Sequence, residues 1–307
     1  MGTYVVRRIL ASFFVIFGLI TVVFFLMRLL PGDPVSLMMT EFAAAAEDME
    51  RIREQLGLND PILVQYVRYL GNLVQGDLGE SVFTHRAVSA QVLSQLPATL
   101  ELAVASTLIG VVFGVVTGIF AAAWRDSIFD RLSMLVSLFF ISMPSFWVGL
   151  LFIYVFALHL GWFPVAGTGG LSHLVLPAVA LGMRPIAVLS RVVRTSMLEV
   201  LRQDFVQTAR AKGVLERRIL FGHALRNVLI PVITLIGIQF GYALGGSVII
   251  ETVFGRQGIG QLAVGAVQKH DYPLVQGTVL FIGIVFVFAN LIVDLLYGII
   301  DPRIRYS

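Results

Sequence analysis

The chain lacks cysteine and has few charged residues, and both shortages limit what it can be. With no cysteine among 307 residues, disulfides, thiol catalysis and cysteine-based metal sites are excluded. Only 13% of the residues are charged, whereas soluble domains average about 25%. Hydrophobic residues make up 57%, and the mean hydropathy is +0.88. These values predict a protein that crosses a membrane several times.

Several site patterns are also missing. The sequence has no G-x-x-x-x-G-K-[ST] phosphate loop and no paired histidines at H-x-x-x-H spacing, so we expect no nucleotide or metal bound by this chain. Glycines 255, 258 and 260 follow an apolar run rather than a strand, which indicates a tight turn and not a nucleotide loop. No basic patch interleaved with aromatic residues points to nucleic acid.

Long uncharged intervals predict six membrane-spanning helices. A glycine-rich turn over 161–170 divides the longest interval into two spans, and the first span is interpreted as an uncleaved signal anchor. The predicted spans cover 9–27, 102–124, about 132–160, about 174–193, 227–250 and 272–300.

The distribution of Lys and Arg predicts the orientation of these spans. With the N-terminus in the cytoplasm, the inside segments carry fourteen basic residues and the short outside loops carry only Arg256 and Lys269. Because Lys and Arg accumulate in cytoplasmic loops, both termini are predicted to be cytoplasmic. The longer segment 31–96 is then extracytoplasmic. It is predicted to form one amphipathic helix over 47–57 and another starting near Pro61, either as a cap on the outer face or as a surface for a partner or the substrate entrance.

The most informative stretch is the 198–226 connection, which is charged and far longer than a link between two spans requires. Leu198, Leu201, Phe205 and Ala209 recur at helical spacing and predict one apolar face. Gly213 is expected to break the helix, and a second turn is expected from Glu216. This pattern is compatible with a hairpin on the lipid surface or with a docking element for a soluble partner.

Motifs spread over nearly the whole chain resemble a known family. The connection contains DFVQTARAKG from Asp204 to Gly213, followed by HALRNVLIP from His223 to Pro231. Further matching segments are LPGDP at 30–34, QLGLNDP at 55–61, GDLG at 76–79, PATL at 97–100 and DPRIR at 301–305. Together they resemble ABC importer permeases of the branch that includes the dipeptide, oligopeptide, glutathione and nickel permeases, and the DFVQTARAKG segment is similar to their EAA loop.

The resemblance implies an all-α integral membrane protein of the bacterial inner membrane, with the six-helix core of type I ABC importer permeases. It also implies a first span over 1–30, an extracytoplasmic helical insertion over 31–96 and a core over 97–307. The chain would form half of a pathway with a second, similar permease. Two ATPases would bind ATP and Mg, and a binding protein would deliver substrate, so no cofactor is expected in this chain and it is not expected to be an enzyme.

The same resemblance implies that the 198–226 connection couples the ATPases to the spans. Where the general pattern of the loop has Glu and Ala, this chain has Gln207 and Thr208, which weakens any carboxylate contact with the ATPase at that point. The residues expected to couple are Asp204, Gln207, Thr208, Ala209, Arg210, Ala211, Lys212, Gly213, Glu216 and Arg217.

Six residues within the spans are candidates for the pathway or its gate: Arg184, Pro144, Ser145, Gln239, Gly241 and Gly245. Arg184 either serves the pathway or a subunit contact, or extends toward the cytoplasm. Pro144 either kinks a packed helix or forms a hinge. Glycines 237, 241, 245 and 246 are expected to form a close helix–helix face, and Glu101 is expected at the membrane interface.

Two other classes of function require features that the sequence lacks. An ion-coupled transporter needs paired intramembrane acids and repeats, and an intramembrane enzyme needs converging catalytic groups, and the sequence shows neither. Within the importer class, peptides are the expected substrate, with glutathione, nickel complexes and oligosaccharides as alternatives.

Overall fold

The structure, a computed structural model, describes residues 2–29, 53–54 and 58–300, and within these residues it is helical and turn-connected. The predicted 47–57 helix and the 301–305 motif therefore fall largely outside the described residues. The helices are α1 Gly2–Leu29, α2 Ile62–Val74, α3 Val88–Ala123, α4 Ile128–Ser142, α5 Ser145–Phe152, α6 Leu171–Val200, α7 Asp204–Ala211, α8 Glu216–Arg218, α9 Leu225–Val253, α10 Ile259–Gln268 and α11 Tyr272–Ile300. Short π-helical segments, Ile153–His159 and Ile219–Ala224, extend α5 and α8.

Five of these helices are long and apolar enough to cross a membrane: α1, α3, α6, α9 and α11. The second one, α3, starts well before the predicted residue 102, and its 36 residues give a length of about 54 Å. Since the apolar core of a bilayer is about 30 Å thick, α3 extends beyond it. A charge-free interval in the sequence shows which part of a helix lies in lipid. It does not show how far the same helix continues beyond the lipid.

The expected third span is broken rather than kinked. Met143 and Pro144 are both extended, with ψ of 134° and 137°, because proline lacks an N–H and restricts the residue before it. The axes of α4 and α5 differ by 107° at this corner. The prediction of one continuous helix over 132–160 is therefore wrong, because the helix is broken at Met143 and Pro144.

The ends of the broken pair show that it crosses the whole bundle. At one end, Asp130 at the start of α4 accepts two hydrogen bonds from Arg194, near the end of α6, at 2.5 and 2.7 Å. At the other end, the loop after α5 meets the loop after α9, where the Gly167 N–H donates to the Phe254 carbonyl at 2.9 Å. The pair thus runs the length of α6, and counting it as one span brings the described residues to six candidate crossings.

The helices α3 and α6 pack closely because glycine removes side chains from their contact. A Cβ added at Gly110, Gly114 or Gly118 would lie 2.4, 2.8 or 2.7 Å from the nearest atom of α6. Small residues allow helix backbones to approach closely in membranes. The predicted glycine face on α9 is less uniform: Gly241 faces Phe286 of α11, Gly246 faces Leu181 of α6, and Gly245 has no neighbouring atom within 4 Å. Within this chain these glycines do not share one contact, and the expected contact of this face with a second permease stays a prediction.

The helix predicted after Pro61 is α2, and it packs on one end of α1. Tyr66 and Tyr69 lie 5.1 and 5.4 Å from the ring centre of Phe24, and the Tyr66 hydroxyl is 2.7 Å from that of Thr21. Burial raises the pKa of Tyr69 to about 12. The helix ends before Gly76, whose φ is +78°. The aromatic face of α2 is therefore used within the chain.

Candidate functional site

The 198–226 connection contains a helix with a defined C-terminal turn. Gly213 has a φ of +74°, its N–H donates to the Arg210 carbonyl at 2.9 Å, and the Val214 N–H donates to the Ala209 carbonyl at 3.1 Å. This pair of bonds is the Schellman motif, which needs glycine at the left-handed position. A Cβ on Gly213 would meet nothing within 4 Å. The glycine is therefore required by backbone conformation, and the space around it is open.

The polar side chains of this connection remain largely outside the packed bundle. Arg210 and Glu216 close the turn, with 2.6 Å between Nε and Oε1, and both side chains are well exposed. Ala209 is half-buried, and the other expected coupling residues are exposed: Asp204, Gln207, Thr208, Arg210, Ala211, Lys212, Gly213, Glu216 and Arg217. Phe205, Leu215 and Phe221 are also exposed, at 41%, 77% and 47%. The connection thus presents charges and apolar side chains together.

The apolar face predicted for the connection is wrong. The helix α6 ends at Val200 and α7 starts at Asp204, so Leu198 and Phe205 belong to different helices. Val206, not Phe205, is completely buried. A three-residue turn between the helices shifts the register, and the periodicity of residue types does not show such a turn.

The six residues predicted for the pathway or gate all line one cavity. This central cavity of ≈ 760 Å³ lies between the α4–α5 corner, α6, α9 and α11. Pro144 and Ser145 contribute from the corner, Arg184 from α6, and Gln239, Gly241 and Gly245 from α9. Binding cavities for small molecules measure about 300–1,000 Å³, so the central cavity is large enough for a small solute.

Two polar side chains distinguish the central cavity from an apolar gap between helices. Arg184 is the only charged residue among the described residues that line it, and its guanidinium carbon lies 5.0 Å from the ring centre of Tyr242. Gln239 is 3% exposed, and its Nε2 has no hydrogen-bond partner among the described residues. Buried donors are normally paired, so this amide has an unused donor.

A second polar site, the Glu251 cluster, lies at the α10 end of the bundle. Glu251 is fully buried and accepts hydrogen bonds from the Thr99 hydroxyl at 2.7 Å and from the N–H groups of Gly260 and Gln261 at 2.8 and 3.2 Å. The N–H of Ile259 donates to Thr99 Oγ1 at 2.9 Å. A carboxylate therefore occupies the start of α10, where a nucleotide loop would bind phosphate.

The Glu251 cluster also includes a buried cation. Arg256 is completely buried, and its Nη2 donates to Glu101, whose side chain is half exposed. Glu101 thus has an ion-pair partner, which its position in the sequence did not reveal. A Glu in the last turn of a span, followed by a glycine-rich turn with one Arg, is the signal that identifies such a cluster.

The chain is similar to proteins that share this arrangement of helices. A family described as "Binding-protein-dependent transport system inner membrane component" matches residues 114–306, and the N-terminal family of such membrane components matches residues 1–103. The chain belongs to the family of binding-protein-dependent transport system inner membrane components. The expectation of an ABC importer permease, stated from the sequence motifs, is confirmed.

Relatives of this permease cover its whole length. It is 42% identical to the glutathione transport system permease protein GsiC of Escherichia coli (strain K12), with 100% of both chains covered. It is also 42% identical to the di/tripeptide transport system permease protein DppB of Pseudomonas aeruginosa (strain UCBPP-PA14), with the same coverage. An inward-facing structure of the MetNI methionine ABC transporter matches 68% of this chain and 96% of that chain, with a TM-score of 0.55 and 18% identity. This last likeness supports the fold alone.

Proposed function

We propose that this permease forms half of the pathway by which an ATP-driven importer takes up short peptides. The observation that carries the proposal is the full-length likeness, at 42% identity, to one permease for glutathione and one for di- and tripeptides. Glutathione is itself a tripeptide, so the two substrates share a size and a chemistry. The central cavity has a volume suited to such a solute.

Uptake into proteoliposomes that contain the complete importer tests the substrate. The importer is the permease with its second permease, two ATPases and the binding protein. We expect ATP-dependent accumulation of a labelled tripeptide that requires the binding protein. Accumulation of a nickel chelate or an oligosaccharide, with no peptide accumulation, would contradict the proposal.

The second part of the proposal concerns partners and orientation. ATP and Mg bind to the ATPase partners rather than to this chain, and the 198–226 connection docks on them from the cytoplasm. The excess of basic residues at the α7 end supports the cytoplasmic placement of that end and of both termini. Exposed Phe205, Leu215 and Phe221, surrounded by charges, form a surface suited to a protein partner.

Two glycines provide a matched test of docking. Gly213 and Gly76 have φ values of +74° and +78°, and a Cβ on either meets nothing within 4 Å. Gly213→Val and Gly76→Val therefore introduce the same backbone strain, of about 1–2 kcal/mol, at opposite ends of the bundle. We expect Gly213→Val alone to uncouple substrate-stimulated ATP hydrolysis or to weaken ATPase binding by about tenfold or more, which corresponds to about 1.4 kcal/mol.

A third variant separates strain from contact. Asn tolerates the left-handed conformation better than Val does, so Gly213→Asn adds a side chain to the exposed turn at lower strain. If docking takes place here, Gly213→Asn also reduces stimulated hydrolysis. Unchanged assembly and hydrolysis in both Gly213 variants would exclude docking through this turn.

A further inference from the structure

Among the described residues, the central cavity contains one cation without an acidic partner. Arg184 lies near the middle of α6, and its guanidinium lies near Tyr242, which is near the middle of α9. No described Asp or Glu forms an ion pair with Arg184. The side chains of Arg184 and Tyr242 are both exposed, so the guanidinium faces open space in the middle of α6 rather than at the end where Arg194 pairs with Asp130.

A charge at this depth is costly unless something compensates it. Ionisable side chains within a membrane normally pair with each other or line a cavity that has a function. A cation–π contact with Tyr242 supplies part of this compensation. The planar guanidinium still has its N–H donors for a carboxylate, which it binds with two parallel hydrogen bonds.

A second, independent observation indicates a ligand in the same place. Gln239 lines the cavity, is 97% buried, and has an amide Nε2 without a partner among the described residues. It lies one helical turn before Tyr242 on α9, so the two side chains share a face. A charged and a neutral N–H donor that line the same cavity are complementary to an anion with oxygen acceptors.

We propose that Arg184 and Gln239 form an anion subsite in the central cavity that binds a carboxylate group of the transported solute. The peptide nature of that solute rests on the proposed function, whereas the anion preference rests on the cavity alone. Apolar lining residues such as Phe140, Met143 and Ile249 would face the rest of the solute. The subsite thus orients a carboxylated solute without requiring tight binding.

The absence of cysteine from the chain allows a direct electrostatic test. Gly245 lines the cavity, and a Cβ there meets nothing within 4 Å, so Gly245→Cys places one thiol beside the subsite. In the assembled importer, with partner subunits whose own cysteines are replaced, its reaction rate is measured with an anionic and a cationic methanethiosulfonate. We expect Arg184→Gln to lower the anion-to-cation rate ratio by about tenfold, and Arg184→Lys to retain most of the ratio.

Control sites show whether the effect is local. Gly71 is exposed on α2, and a Cβ there also meets nothing within 4 Å. The ratio at Gly71→Cys should not change with Arg184→Gln. If Arg184→Gln leaves the anion-to-cation rate ratio at Gly245→Cys unchanged, the subsite is overturned. It is also overturned if the ratio shows no preference for the anion while Arg184 is present. That result would show that an acid of the second permease neutralises Arg184.

Ligand protection then tests the chemical group. Acetate and N-acetyl-dialanine should slow labelling of Gly245→Cys, the amide of the same dipeptide should not, and Arg184→Gln should abolish the difference. Equal protection by the acid and the amide overturns the proposal. Protection by acetate in an importer that accumulates no peptide would support the anion subsite and refute the peptide substrate, so the two failures are distinguishable.

Discussion

The Glu251 cluster and the 198–226 connection are both polar, but the central side chains of the cluster are buried whereas those of the connection are exposed. In the cluster, one buried carboxylate accepts three hydrogen bonds from α3 and α10, and nearby Arg256 pairs with Glu101. In the connection, charged side chains extend outward, and the turn at Gly213 is closed by two backbone bonds and by the Arg210–Glu216 pair. The bonds to Glu251 serve the fold, although Arg256 Nε and Nη1 have no partner among the described residues, whereas the exposed charges of the connection are open to water or to a partner. The two regions should therefore respond differently to mutation.

The largest effect is expected at Glu251. In Glu251→Gln, an NH₂ group replaces an oxygen that accepts bonds from the Thr99 hydroxyl or from two backbone N–H groups, and the charge near Arg256 is lost. Removing one partner of a buried charged network costs about 3–5 kcal/mol. We expect a much lower yield and melting temperature of the purified importer.

Glu80 provides the matched control for Glu251, because its side chain is exposed. Glu80→Gln should change stability by no more than about 0.5 kcal/mol. Equal melting temperatures for the two variants would show that the Glu251 cluster does not stabilise the fold.

An intermediate effect is expected at the glycines of α10. A Cβ on Gly260 would lie 2.4 Å from the Cα of Val248 and 2.8 Å from Oε2 of Glu251, whereas a Cβ on Gly265 meets nothing within 4 Å. Gly260→Ala should destabilise the fold by about 1–3 kcal/mol, because the backbone of α9 must move. Gly265→Ala should stabilise it by up to about 1 kcal/mol. Thermal unfolding of the two variants compares them, and the same sign for both would contradict the close packing of Gly260.

The smallest effect is expected for the ion pair of the connection. Arg210 and Glu216 are exposed, and such pairs contribute about 0.2–1 kcal/mol. A double-mutant cycle with Arg210→Gln and Glu216→Gln, followed by thermal unfolding, should give a coupling energy in this range that declines with salt. A coupling energy above about 2 kcal/mol, outside the range for exposed pairs, would show that the connection is stabilised from within, as the Glu251 cluster is.

The sequence predicted the number of crossings, the 161–170 turn, the helix after Pro61 and the break at Gly213, because each depends on local chemistry. The length of an apolar run determines whether a helix can cross a membrane, and glycine and proline affect the backbone only within a few residues. The predictions of the importer class and of the coupling residues came from the family resemblance. Helical periodicity alone did not predict them.

The features that sequence reasoning missed depend on contacts between distant segments. The Arg256–Glu101 pair joins residues 155 positions apart, and the Glu251–Thr99 bond joins residues 152 apart. The 107° corner was underestimated for a different reason, since Pro144 indicates a bend but neighbouring helices decide its angle. The candidate pathway residues came from three separate stretches of the sequence, and only the fold shows that they surround one cavity.

The corner between α4 and α5 also has a consequence for how the chain is made. Each half, with 15 helical residues counting the π-helical extension of α5, is about 22 Å long, which is shorter than the apolar thickness of about 30 Å that a lone span must cover. Neither half can anchor the growing chain across the bilayer by itself. During insertion, the direction of α6 and of everything after it is therefore settled only when both halves are in place. We expect a chain that loses one half to insert α6 and the later helices in the opposite direction.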